Sequence, residues 1–344
     1  MISWTRTVNR IVNRPRSKEV FSPDEVRKEN IVINFYKTDN RLISELEDFE
    51  KDSWIKLTAP TLEECSEVAE KFDIDLADIR AALDDEESSR VSVEDEYTLI
   101  LVDIPSAEVR NNRKGYTTIP LGIILAEDVI ITVCAEETSV LMPFIRQRVR
   151  EFSTKKKMRF TYQILYNGCM TYQSLLRSID RKRTEIEERI HENTEDSDLI
   201  DLHELESNLV YFATSLRAYG VVLDRLSRYG RIKQYPEDRE LLEDVIIENQ
   251  QAIEMTMIYR DIIKGTQELM SSILDNRLNI AMKFMAAITI VMAIPDIFSG
   301  LFGMNVNFGG IPFTELHHAF GIICGVIAIV CVIVLFILRK KKML

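Results

Sequence analysis

The sequence predicts a membrane protein with an N-terminal cytoplasmic α/β domain, a long helical stalk and two C-terminal transmembrane helices. Three observations lead there. Charge is concentrated before residue 284, whereas roughly the last sixty residues are largely apolar. Residues 319–338 carry no charge, a length that crosses a hydrocarbon core of roughly 30 Å. A second apolar stretch, 280–302, is interrupted only by Lys283 near one end and Asp296 near the other.

Residues 1–29 are polar, and Arg6, Arg10, Arg14 and Arg16 are not followed by an apolar run. A poorly ordered segment without a signal peptide is expected there. Over 30–150 the pattern is mixed. β-rich runs at 31–36, 54–57, 97–102, 118–125 and 129–133 read as strands, and 62–72 and 75–83 read as helices. Beyond residue 139 strand signals stop, and 151–279 reads as a helical stalk with helices at 160–192, 198–228 and from 236 onward. Pro236, followed by Glu237, Asp238 and Glu240, suits a helix start: its φ is preset, and the acids face the positive end of the dipole. That helix is expected to continue into the first span, 280–302, giving roughly 95 Å at 1.5 Å per residue. A helix of this length needs a partner along it, most simply copies of itself.

The remaining segments are an outer loop at 303–318, a second span at 319–338 and a basic tail at 339–344. Arg339, Lys340, Lys341 and Lys342 follow the second span, while residues 306–318 hold Glu315 as their single formal charge. The positive-inside rule therefore places both termini in the cytoplasm and the chain in the cell membrane, in contact with lipid. The net charge of −12 argues against nucleic acid as a partner and suits a protein that handles cations. Cys65, Cys134, Cys169, Cys324 and Cys331 show no metal-ligand spacing and read as reduced packing residues. No phosphate loop, nucleophile constellation or metalloprotease motif is present, so no enzyme is expected.

Residues 187–206 contain nine acids and one base, Arg189. This helical tip is either simply solvated or an electrostatic collector of cations.

The long helix carries a stripe. Alternating steps of three and four from Asn279 meet Met282, Ala286, Thr289, Ala293, Asp296, Gly300 and Gly303, all small or polar apart from Met282, while bulky apolar residues lie elsewhere. In the other direction Glu254, Asp261, Glu268 and Asp275 recur seven residues apart. In a parallel bundle each forms an acidic ring around a wet, cation-filled funnel; the alternative is a solvated face. Asp296 is the sharpest single residue. A carboxylate inside a span costs about 2.5–3.5 kcal/mol and marks an ion or proton pathway, or else a protonated acid in a helix contact. Pro295 cannot bond to the Val291 carbonyl, so a kink or an exposed acceptor is expected beside it.

Several segments carry a resemblance to a known family. They are Gly303, Met304 and Asn305, the preceding residues 294–302, residues 279–283, the terminal basic cluster and, upstream, residues 82–87 with Arg90 and residues 121–125. Over about residues 30–344 the chain resembles the CorA family of magnesium channels. The resemblance implies a funnel-shaped homopentamer with one pore helix from each subunit. It further implies that Gly303, Met304 and Asn305 form the outer selectivity filter, and Met282 and Met285 the hydrophobic inner pore. It also implies closure by cytoplasmic Mg2+ bound between subunits, for which Asp78 and Asp244 are the candidates by position. Asn305 offers an amide oxygen to a hydrated ion, which suits a metal reluctant to lose its water.

The expected cargo is Mg2+, with Co2+ and Ni2+ as further ions. Asp296 departs from the small polar residue, often threonine, expected at its position, and a carboxylate there binds divalents more tightly. That residue keeps a rival open, a Zn2+ transporter of the same superfamily with proton coupling, although that branch usually alters the methionine and this chain keeps Met304. A rival of another class is a membrane-anchored divalent-cation sensor that does not conduct.

Overall fold

The computed structural model describes residues 32–39, 42–110, 113–192, 196–230, 235–303 and 319–341. The expectations for residues 1–29 and for most of the outer loop lie outside them. The chain divides into two units. The first is Met1–Arg177 with Asn208–Met257, and the second is Ser178–Ser207 with Ile258–Leu344.

The first unit is built on seven strands: β1 (Val32–Asp39), β2 (Leu42–Leu46), β3 (Ser53–Thr58), β4 (Arg90–Val93), β5 (Tyr97–Arg110), β6 (Arg113–Ala126) and β7 (Val129–Cys134). They form one sheet in the order β2-β1-β3-β7-β6-β5-β4, with β3 and β7 parallel and the other pairs antiparallel. Strand side chains alternate between faces, and both faces are apolar. On one face Ile55, Leu57, Leu99, Leu101, Ile131 and Val133 pack with α1 (Leu62–Phe72) and α2 (Leu76–Ala81). On the other, Trp54, Ile100, Val102, Leu121 and Ile123 pack with residues of α4 (Lys157–Glu192), α5 (Asp196–Ser227) and α6 (Pro236–Phe302). The result is a sheet between two helical layers; the sequence predicts the α/β character of this unit but not that α4, α5 and α6 cover the second face.

Local chemistry explains the entries and close approaches. Thr61 and Glu64 form a capping box at the start of α1, satisfying two end donors. Asp75 caps α2 through the Ala77 N–H at 2.8 Å. Gly122 lets the end of α2 rest on β6: a Cβ there would lie 2.8 Å from that of Ala82, too close to tolerate. Trp54 sits among Phe144, Phe152 and Phe160 and donates its indole N–H to Thr132 at 2.9 Å, so its polar atom is satisfied in a fully buried setting.

The structure extends several expected elements and adds others. β5 and β6 run well beyond the predicted strands, pairing from Tyr97–Ala126 to Arg110–Arg113. Pro105 lies within β5 and Pro120 within β6, the latter already inside the predicted run 118–125. They are accommodated because β4 reaches only Thr98–Leu101 of β5 and β7 reaches only Leu121–Leu125 of β6, so neither proline owes an N–H to a further strand. β2, β4 and the four-residue α3 (Met142–Ile145) are additional.

In the second unit, the ends of α4 and α5 hold the acidic segment. Arg189 lies 2.8 Å from the buried Asp198 and 4.0 Å from Asp201, and Arg183 pairs with Asp180 and Glu187. Gln267 of α6 donates to Glu206 at 3.3 Å. Two helices are long and apolar enough to cross a membrane, α6, whose C-terminal part lies in this unit, and α7 (Ala319–Lys340). Their large apolar side chains are mostly exposed, among them Met285, Met292, Ile297, Val332 and Phe336. Exposed apolar surface on this scale requires lipid or protein against it.

Candidate ion pathway and cation-sensing residues

The helix α6 is continuous over 67 residues and passes through Pro295 without ending. Proline has no N–H, so Pro295 cannot donate to the Val291 carbonyl one turn back. In the first unit α6 buries Leu242, Val245, Asn249, Ala252 and Thr256, and in the second Ile263, Thr266 and Met270. Glu254 falls between Ala252 and Thr256, about 200° round the helix from each. The acidic stripe therefore lies on the side of α6 away from its buried side. Glu254, Asp261, Glu268 and Asp275 are all exposed, as are Ile258, Gly265, Ser272 and Asn279.

Farther along, Met282, Met285, Ala286, Thr289, Asp296, Gly300 and Gly303 are exposed, and Ala293 is half-buried. The Thr289 hydroxyl donates to its own helix at the Met285 carbonyl, 2.9 Å away, leaving its oxygen lone pairs outward. The Gly303 N–H donates to the Ser299 carbonyl at 2.9 Å, and a Cβ on Gly303 would sit 3.0 Å from that same oxygen. Only a residue without a side chain closes this last turn without displacement. Met304 and Asn305 lie outside the described residues.

Asp78 is in the first turn of α2 and half-buried. It is not a bare carboxylate: the Tyr97 hydroxyl donates to its Oδ2 at 2.6 Å, and Arg90 Nη2 lies 3.6 Å from its Oδ1. Burial first, then the bond to Asp78, pushes the Tyr97 phenol above its usual range, which keeps it a donor. Asp244 is exposed on α6. The nearby Tyr166 hydroxyl is pushed up by burial and further by Glu248 and Asp244.

No hydrogen bond or ion pair joins Asp78 to Asp244 among the described residues, and no group of three or more His, Cys, Asp or Glu there is arranged to hold a metal. Two open clefts in the first unit contain none of the candidates; one is lined in part by Thr98, Glu127 and Lys157, the other by Thr38, Glu151, Lys156 and Arg159. What the sequence did not disclose is the Arg90 and Tyr97 contact with Asp78. Its one signal is the scarcity of bases in residues 75–90, where Arg80 and Arg90 accompany six acids.

A family profile described as CorA-like Mg2+ transporter protein matches residues 50–340. The cobalt/magnesium transport protein CorA of Methanocaldococcus jannaschii is 25% identical over 297 residues, 84% of this chain and 90% of that protein. Its namesake from Thermotoga maritima is 22% identical over 315 residues, 90% of this chain and 88% of that one. Among solved structures, the complete CorA magnesium transporter of M. jannaschii superposes with a TM-score of 0.76 at 22% identity, covering 90% of this chain and 98% of that one. The full-length CmaX protein gives 0.67 at 15% identity, over 90% and 97%. At these identities the structural matches speak for the fold.

Proposed function

This chain belongs to the CorA-like Mg2+ transporter protein family, and from that premise we propose that it is a magnesium channel of the cell membrane, closed by cytoplasmic Mg2+. It works as a funnel-shaped homopentamer with both termini in the cytoplasm. Five copies of α6 surround the axis, and the outer part of α6 and α7 span the bilayer. Co2+ and Ni2+ are further cargo.

One observation carries this reading: α6 keeps a small, polar and acidic stripe exposed on the side away from its buried residues. A helix with lipid or its own chain on every side has no use for such a face. Rings of Glu254, Asp261, Glu268 and Asp275 gather hydrated cations. Thr289, Asp296 and, at the mouth, Gly303, Met304 and Asn305 offer oxygen ligands or close backbone approach, which suits an ion that retains its water. An inside-negative potential of 100 mV drives a divalent ion with about 4.6 kcal/mol. Asp78 and Asp244 hold the regulatory Mg2+, each supplied by a different subunit, which accords with their lack of contact within one chain. The resident chemistry is ion passage, not catalysis.

The exposed Asp296 favours one second reading, Zn2+ transport coupled to protons. Reconstitution in liposomes separates the two. Mg2+ influx that follows the imposed potential and ignores a pH gradient is expected; Zn2+ flux that follows the pH gradient would move the chain to the second reading. Asn305→Ala should abolish selective uptake, and intact Mg2+ selectivity would sink the filter assignment. Potential-driven flux of either ion is absent if the protein is a non-conducting sensor.

A further inference from the structure

Asp78 is held from two sides by residues that open neighbouring strands, Arg90 at the start of β4 and Tyr97 at the start of β5. Arg90 Nη2 lies 3.6 Å from Asp78 Oδ1, while its Nη1 donates to Glu87. The Tyr97 hydroxyl donates to Asp78 Oδ2 and accepts from the Asp75 N–H at 3.3 Å. The side chains of Arg90 and Asp78 are 34% and 19% exposed, so ions in solution can reach the pair. One guanidinium thus joins two carboxylates from separate segments, the helix α2 and the turn after it. A divalent cation occupies the same electrostatic position when it bridges two carboxylates. The guanidinium is always charged and cannot vacate the place by losing a proton.

We propose that Arg90 is an internal competitor of cytoplasmic Mg2+ at Asp78 and sets the concentration at which the channel closes. The proposal rests on the reading of Asp78 as a sensor residue. When hydrated Mg2+ approaches, Arg90 withdraws from Oδ1 and stays paired with Glu87, so the displaced cation keeps a partner. Tyr97 holds Oδ2 throughout and keeps the carboxylate in place, which makes Oδ1 the oxygen that changes hands. The competition is modest by design of its surroundings: a part-exposed ion pair changes an affinity by a factor of about two to five. Arg90 acts through Asp78 and is a positioning residue, not a ligand of the ion.

The test uses the full chain in liposomes under an inside-negative potential, with cytoplasmic-side Mg2+ varied and Mg2+ influx measured. Arg90→Gln is expected to lower the half-closing Mg2+ concentration about two- to fivefold, and Arg90→Lys, which keeps the charge, to return it toward the wild-type value. Asp78→Asn run in parallel separates the two levels of the argument. If Asp78→Asn closes at the wild-type concentration, the sensor reading fails. If Asp78→Asn shifts closure and Arg90→Gln does not, the sensor stands and the competitor role is overturned. A lower thermal midpoint in Arg90→Gln without a shift in closure marks a purely structural clip and also overturns it. Should Arg90→Gln fail to fold, Glu87→Gln frees Arg90 for Asp78 and is expected to raise the half-closing concentration; an unchanged or lower value counts against the proposal.

Discussion

The sheet-based first unit and the C-terminal part of α6 solve the problem of burial in opposite ways. The sheet is covered on both faces by helices of its own chain: Trp54, Ile55, Ile100 and Leu101 are completely buried, and the polar atom of Trp54 finds Thr132. From residue 279 to 303, Ala287 alone is buried among the side chains described. The first region therefore holds in its sequence everything its fold requires. The second carries large exposed apolar residues beside a stripe of small and acidic ones, a surface complete only against lipid or protein. Stability and transport should accordingly respond to different substitutions.

The largest expected effect is on stability. Trp54→Ala removes the centre of the aromatic cluster with Phe144, Phe152 and Phe160, and should cost about 3–5 kcal/mol in denaturant unfolding. A cost below about 1 kcal/mol would mean that the cluster repacks and that the contrast is overstated.

Neutralising Glu254, Asp261, Glu268 and Asp275 together to Gln and Asn should do the reverse. Mg2+ influx at low ionic strength is expected to fall about tenfold, with the deficit shrinking as salt screens the rings. The unfolding midpoint should hold or rise, because repulsion among like charges is removed. Unaltered influx at low salt would assign these acids to an ordinary solvated face.

Asp296→Asn comes next. The apparent affinity for transported Mg2+ should weaken several-fold, by about 1 kcal/mol, as an ionised oxygen ligand becomes neutral. Influx titrations against external Mg2+ read this directly, and an identical half-saturating concentration would remove Asp296 from the pathway.

The smallest effect sharpens the comparison from inside the first unit. Asp103 accepts a hydrogen bond from Ser215 at 2.8 Å, but burial raises its pKa above the usual carboxylate range, with the Ser215 bond acting the other way. A carboxyl with a raised folded-state pKa contributes stability that is present at acid pH and lost as pH rises through that value. Asp103→Asn keeps an acceptor for Ser215 and should slightly raise the thermal midpoint at pH 7. The gain should vanish toward pH 4; a gain independent of pH would point to packing instead.

Much of this division was legible in the sequence, for physical reasons. The central strands stood out because they are buried on both faces and so read as apolar runs, as in residues 129–133. The acidic stripe stood out because its heptad spacing survives any uncertainty about where α6 begins. The elements that escaped notice were those whose stability is tertiary. β4 is four residues long with Arg90 at its head, and β2 is an edge strand with Leu42 exposed. The far part of β5 carries Pro105, which only the short reach of β4 makes harmless. At the candidate site, Asp78 came from a resemblance. Its engagement by Arg90 depends on how residues 82–89 return the chain to the sheet, which no periodicity encodes. The roles of Met304 and Asn305 came from the resemblance alone.

In the proposed pore, the back-bonded hydroxyl of Thr289 bears on the sign of charge that can pass. Its proton is directed into the helix, so this position offers lone pairs and no hydrogen to the stripe. The water shell of a cation points its hydrogens outward and finds an acceptor here. Chloride or phosphate, which needs a donor, finds none. On the proposed function, discrimination against anions would rest partly on where a proton lies, at a residue that bears no charge.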